Sequence, residues 1–207
     1  TVVVAFTDLQ GRLQGGRVTG QHFLDAVVPH GARAAATLFS ADVEMEVAGD
    51  DAIATSPQGL GDLMLRPDLT TLRSMPWHPA SALILCDVTW PDGRPVAPSP
   101  RQVLQAQIAR AEELGLAAVV GTELEFTVYE QTYEQAWDAG YRGLTPANRY
   151  PVEASLAGAG RVEPLLRDLR THLTRAGIAV RGSRSRLDFA DAEASAVRLR
   201  GPGRLAD

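Results

Sequence analysis

Ser81 to Trp90 reads SALILCDVTW, a nearly continuous apolar run closed at once by the turn signal Pro91-Asp92-Gly93. A short apolar run bounded in this way suits a strand buried on both faces. The composition can supply the interior such a strand needs, since 45% of the 207 residues are hydrophobic and 22% are charged. Those are globular proportions, and the length allows one medium domain or two small ones. Twenty Lys+Arg against 25 Asp+Glu leave a formal charge of −5. With no basic run of five or more, nucleic acid is not an expected partner. No apolar stretch approaches the roughly 18 residues that span a bilayer, so no membrane partner is expected either. TVVVAFTDLQ at the start lacks the charged region and cleavage site of a signal peptide. A cytoplasmic protein is expected, and its single cysteine, Cys86, fits a reducing compartment. The chain begins with Thr1 rather than Met, so a preceding segment is expected.

Up to Pro98 the pattern is strands, turns and short helices. Val2–Thr7 and Arg17–Thr19 read as a hairpin around the Gly-punctuated DLQGRLQGGR. A helix over about Gln21 to Val28 would turn Phe23, Leu24, Val27 and Val28 inward, with Pro29 and Gly31 closing it. Gly49 to Gly61 is small, acidic and turn-rich, and reads as a mobile loop. At Ser99 the pattern changes. Ser99, Pro100 and Gln102 form a capping-box start, and the helix that follows carries Val103, Leu104, Ile108, Ala111 and Leu114 on one face before Gly115 ends it. Strands are expected at Leu116–Val120 and Thr122–Tyr129, then a loop over about 131–160. A helix over about Val162–Ala176 points Leu165, Leu166, Leu169 and Leu173 inward, Gly177 stops it, and Ile178–Val180 begins another strand. A boundary is therefore expected near Pro98, with domains of residues 1–98 and 99–207 in an α+β fold.

The chemistry concentrates in GTELEFTVYE. Period two puts Glu123, Glu125, Thr127 and Tyr129 on one strand face and Leu124, Phe126 and Val128 on the other. Same-face carboxylates two residues apart lie about 7 Å from each other, near enough to repel in a low-dielectric cleft and far enough for each to hold its own cation. Mg²⁺ and Mn²⁺ prefer such oxygen ligands. The same spacing also serves as ordinary decoration of a solvated strand, and two carboxylates do not complete a metal site.

The order of DLQGRLQGGRV, GDLMLRPDLTTLRSMPWHPASALILCDVTWPDGRPV, SPRQVLQAQ, GTELEFTVYE, EQAWDAGYRGLTPAN and RVEPLLRDLR resembles the glutamine synthetase family. The similarity is strongest to the branch that includes γ-glutamyl-amine ligases, and it runs from Thr1 to about Val180. This resemblance implies a β-grasp N-terminal domain followed by an incomplete glutamine synthetase-type catalytic domain. It implies Glu123 and Glu125 as ligands of Mg²⁺ or Mn²⁺, with ATP as co-substrate. It further implies a reaction in which ATP phosphorylates the γ-carboxylate of glutamate and ammonia or an amine attacks the acyl phosphate. The intact parent would be a homo-oligomer of stacked rings.

After Val180 the likeness fails. With Glu193 set on the last glutamate of the family's G-Q-x-E motif, Ala190-Asp191 replaces G-Q, and Ser185 or Arg186 stands where another carboxylate belongs. Gly16 stands where the family often has lysine, and the Gly49–Gly61 loop lacks the family's Asp-Gly-Ser-Ser pattern. Residues 181–207 read as a frameshifted or divergent end, and the chain alone is expected to be inactive. The alternative expectation is a noncatalytic regulatory or assembly subunit that binds full-length paralogues. Cys86 is expected to be buried and inert, and Trp77 to anchor packing. His22, His30, His78 and His172 lack metal-ligand spacing, and neither a P-loop nor a G-x-G-x-x-G or G-x-S-x-G motif occurs.

Overall fold

The computed structural model describes residues 1–47, 61–148, 153–187 and 195–204. The expected loop at Gly49–Gly61 lies almost wholly outside these, as do Ala190, Asp191 and Glu193 of the family motif. The chain forms two compact units, Thr1–Ala118 and Val119–Arg204.

The first unit is built on a mixed sheet. Its strands are β1 (Val2–Thr7), β2 (Leu13–Val18), β3 (Ala32–Ala35), β4 (Asp62–Pro67), β5 (Arg73–Ser74) and β6 (Ala82–Thr89). They run in the order β2-β1-β6-β4-β3, and β5 also pairs with β6. β1 and β6 are parallel, and the other pairings are antiparallel. The apolar run at 81–90 thus occupies the middle of the sheet. It is not buried on both faces, however. Ile84, Cys86 and Val88 are buried while Leu83, Leu85 and Asp87 between them are partly exposed, the alternation of a strand with one core face. Val4, Phe6, Phe39, Leu63, Leu65 and Val96 complete that core, and the rings of Phe6 and Phe39 stack at 5.3 Å.

The hairpin after β1 is tighter than expected. β2 spans Leu13–Val18 rather than Arg17–Thr19, because Gly15 and Gly16 continue the strand opposite Ala5 and Val4. Asp8 closes the turn, accepting backbone N–H bonds from Gln10 and Arg12 at 2.9 Å each. Residues 20–30 are helical, with a π-helical middle at Phe23–Val27 and the Thr19 side chain accepting from the His22 N–H. Phe23 and Val27 are buried, whereas Leu24 and Val28 are exposed. Only the pair spaced by four residues reaches the sheet, a narrower stripe than the sequence implied.

The Pro100–Glu113 helix lies in the first compact unit. Ser99 sits at its N-cap, but no side-chain cap bond forms, and the Ser99 hydroxyl is buried without a partner among the described residues. The expected apolar face is not buried either: Val103, Leu104 and Leu114 are 50%, 41% and 70% exposed. A mixed stripe through Arg101, Gln105, Ile108 and Ala111 is the half-buried one instead. Arg101 donates to Asp87 at 2.8 Å and to Asp68, and Gln105 donates to Asp87 at 3.0 Å. Polar bonds seat this helix. Gly115, at φ 72°, ends it in a Schellman motif, with Gly115 N–H on Glu112 and Leu116 N–H on Ala111.

The second unit carries a three-stranded antiparallel sheet in the order β7-β9-β8. β7 is one strand, Val119–Thr127, where two were expected, because Gly121 stays in the ladder instead of breaking it. β8 (Gly182–Leu187) begins after the expected Ile178–Val180, and β9 is Ser195–Arg204. The stretch expected to be loop contains the Tyr133–Asp138 helix and the Leu156–Ala159 turn of helix. Thr132 and Gln135 form a reciprocal capping box there, a Ser/Thr-x-x-Glu/Gln signal present in the sequence and overlooked. In the Glu163–Arg175 helix, Leu166 is buried, Leu169 and Leu173 are half-buried, and Leu165 is exposed, against the expectation that all four turn inward.

Candidate functional site

The acidic pair lies on β7, whose two faces have different surroundings. Phe126 and Val128 pack against Val162 and Leu166 at the start of the Glu163–Arg175 helix. That contact settles which face of the strand meets the helix. Leu124 has the same parity but lies beyond this cover and is 62% exposed. Glu123 and Glu125, offset by one residue, share the opposite face, as the alternation requires, and both are exposed.

Neighbouring segments hold the end of β7 in place. The Val128 carbonyl accepts from Ala147 N–H at 2.8 Å, and Glu130 N–H donates to the Thr145 carbonyl at 2.9 Å. Gln131 brackets Thr145 from the side, accepting its backbone N–H at 2.8 Å and donating to its hydroxyl at 3.1 Å. Across the sheet, Arg170 ties the helix to β8, donating to the Ser183 hydroxyl at 2.6 Å and to Glu163. The bond from Arg170 is the main reason the Glu163 carboxyl sits below the ordinary range.

The register gives the backbone partners of the acidic pair. β9 runs antiparallel to β7 over nine pairs, with Arg200 opposite Glu123 and Arg198 opposite Glu125. β8 then sets Arg184 opposite Arg198 and Gly182 opposite Arg200. Neither glutamate is without an interaction partner. Sequence reasoning singled out the glutamates and did not place a strand at 195–204 beside them.

A pair of carboxylates on an exposed strand face falls short of a metal site. Mg²⁺ demands near-octahedral oxygen coordination and takes it from converging ligands, substrate phosphates and water. Among the described residues, no group of three or more His, Cys, Asp or Glu side chains converges so as to hold an ion. Among the described residues, Glu123 and Glu125 thus supply two carboxylate positions and no third ligand beside them.

The other candidates are settled by burial. Cys86 is buried, and loss of solvent followed by the nearby Asp87 charge pushes its thiol up to about 12, which keeps it protonated and unreactive. Trp77 is exposed rather than a packing anchor. His22, His30 and His78 are exposed and His172 half-buried. No helix among the described residues is long and apolar enough to cross a membrane.

Residues 97–202 match the family described as glutamine synthetase, catalytic domain. The chain is 47% identical over 184 residues to gamma-glutamylethanolamide synthetase of Streptomyces coelicolor, covering 89% of this chain and 40% of that protein. It is 26% identical over 185 residues to glutamate–isopropylamine ligase of a Pseudomonas species, again 89% of this chain and 40% of the relative. In fold it is similar to the crystal structure of a glutamine synthase homolog, with a TM-score of 0.74 at 20% identity, covering 99% of this chain and 44% of the other. The chain thus spans about 40% of the length of the curated relatives it matches.

Proposed function

From the premise that the chain belongs to the glutamine synthetase family, whose catalytic-domain match covers residues 97–202, we propose that it is part of an ATP-dependent ligase of the γ-glutamyl-amine type. Such a ligase joins the γ-carboxylate of glutamate to an amine or ammonia through γ-glutamyl phosphate, with Mg²⁺ or Mn²⁺ neutralising the transferred phosphoryl group. The observation that carries this reading is the 47% identity to gamma-glutamylethanolamide synthetase across 89% of the chain. Resemblance to an isopropylamine ligase over the same extent favours an alkyl or hydroxyalkyl amine over ammonia as acceptor. Glu123 and Glu125 are, in this reading, inherited metal-ligand positions. Residues 1–98 form a β-grasp domain, the catalytic domain starts near Pro98, and the whole ligase is a cytoplasmic homo-oligomer of stacked rings.

We further propose that this chain does not catalyse the reaction alone. Its acidic pair is exposed, and no cluster of three ligands forms among the described residues. Purified chain incubated with ATP, Mg²⁺, glutamate and ethanolamine should release no phosphate above the rate without glutamate. Glutamate- and amine-dependent release would overturn that statement, and amine selectivity would identify the acceptor. Exposure of the apolar side of the Pro100–Glu113 helix favours a second reading, a noncatalytic assembly subunit. Co-elution with a full-length paralogue at ring size supports that role, and elution apart from it rules it out.

A further inference from the structure

We propose that the first unit binds a small aliphatic monocarboxylic acid, seated in a cavity between the two edge strands of its sheet and held by Arg17. β2 and β3 stand at opposite ends of the strand order, yet both line one cavity of about 270 Å³, so the sheet coils until its edges flank a single opening. The residues of the two edges account for the void. Gly16 of β2 is opposed to the buried Val4, while Ala32 and Ala34 of β3 are opposed to the buried Leu65 and Leu63. Directly opposed residues share a sheet face, so these three small residues occupy core-facing positions. A Cβ on Gly16 would meet nothing within 4 Å. Neither edge supplies a side chain large enough to close the seam, and Val4 and Leu65 are left as an apolar floor. An apolar cavity of about 150 Å³ already admits benzene, so this larger one has room for a chain of about six carbons.

Beside these small residues, each edge carries a charge. Arg17 and Arg33 both border the cavity. Arg33 is answered by Asp62 at 3.0 Å, whereas the Arg17 guanidinium has no ion pair or hydrogen bond among the described residues. One uncompensated positive charge at an apolar slot selects a ligand with an aliphatic body and a single negative head. The body leaves water for contact with Val4 and Leu65, and the guanidinium takes the carboxylate through charge-assisted N–H bonds. A second carboxylate would find its arginine already paired, and an ammonium head would be repelled. Every residue invoked belongs to the first unit, so the site is independent of the acidic pair on β7.

Hexanoate, hexanol and hexylamine share a chain and differ in head group, and each can be titrated into the full chain by saturation-transfer difference NMR. Hexanoate should bind, hexanol should bind about ten-fold more weakly, and hexylamine more weakly still. Arg17→Gln should bring hexanoate down to the level of hexanol and leave hexanol unchanged. Gly16→Leu places a side chain in the void at a position outside the left-handed region, so it should melt no lower than wild type and lose both ligands. Should that variant fail to fold, Ala34→Val fills the void from β3 and should give the same loss. Hexanoate that does not bind, or binds no better than hexanol, would overturn the proposal. Binding that survives in a folded filling variant, or that is indifferent to Arg17→Gln, would overturn it as well, by placing the ligand elsewhere.

Discussion

Asp8 is only 1% exposed, yet it keeps its charge by accepting four hydrogen bonds, from the backbone N–H groups of Gln10 and Arg12 and the side chains of Arg12 and Gln14. Burial alone pushes its carboxyl up; the bonds from Gln14, Arg12 and Gln10 outweigh it and leave the carboxyl below the ordinary value. A lowered folded pKa adds stability that is present above pH about 4 and lost as pH falls through the folded value. Urea midpoints should therefore drop between pH 5 and pH 3, and Asp8→Asn should be weaker at pH 7 with a flatter decline; an unchanged decline would remove Asp8 as its source. Gly15 makes a different demand. At φ 145° its missing Cβ would lie 2.0 Å from the Val4 carbonyl oxygen, so β1 and β2 can pair there only without a side chain. Gly15→Ala should cost about 2–4 kcal/mol in denaturant unfolding, whereas Gly16→Ala, whose Cβ would meet nothing within 4 Å, should cost far less.

The Pro100–Glu113 helix shows how little an amphipathic pattern says about what an element meets. Its apolar residues share a face, as the spacing implied, but no residue of the helix is buried. Arg101 and Gln105 seat it on Asp68 and Asp87 instead. Arg101→Ala should cost about 1–3 kcal/mol and accelerate hydrogen exchange in the helix more than in the β6 core; equal acceleration in both would show global destabilisation rather than undocking. The helix in the second unit is anchored by packing. Leu166 is buried against Val162 and Phe126, so Leu166→Ala should cost about 2–4 kcal/mol. Leu165→Ala, on the exposed side, should cost under about 1 kcal/mol. Near-UV circular dichroism and urea melts would separate these two, and equal costs would show that the exposed side is covered in solution.

Across the molecule, exposed apolar side chains recur in both units, among them Val103, Leu104 and Leu114 in the first and Leu124, Trp137 and Leu165 in the second. Surfaces of this kind associate. Purified chain should bind a hydrophobic dye and show concentration-dependent association in sedimentation. Leu104→Glu should reduce both at a stability cost under about 0.5 kcal/mol, and an unchanged sedimentation profile would place the contact elsewhere. How much of this was legible in the residues follows from the range over which each signal acts. Glycine C-caps at Gly115 and Gly177, the strand at Val2–Thr7 and the shared face of Glu123 and Glu125 all stand as read, because φ preference, capping and period two act within a few residues. The order of whole sequence blocks carried the family. What each element meets was not legible: β6 has one core face instead of two, the Pro100–Glu113 helix docks by hydrogen bonds, and β9 is the strand that pairs with β7. Those outcomes depend on segments brought together from far along the chain, and a local period states which residues travel together without stating what they meet.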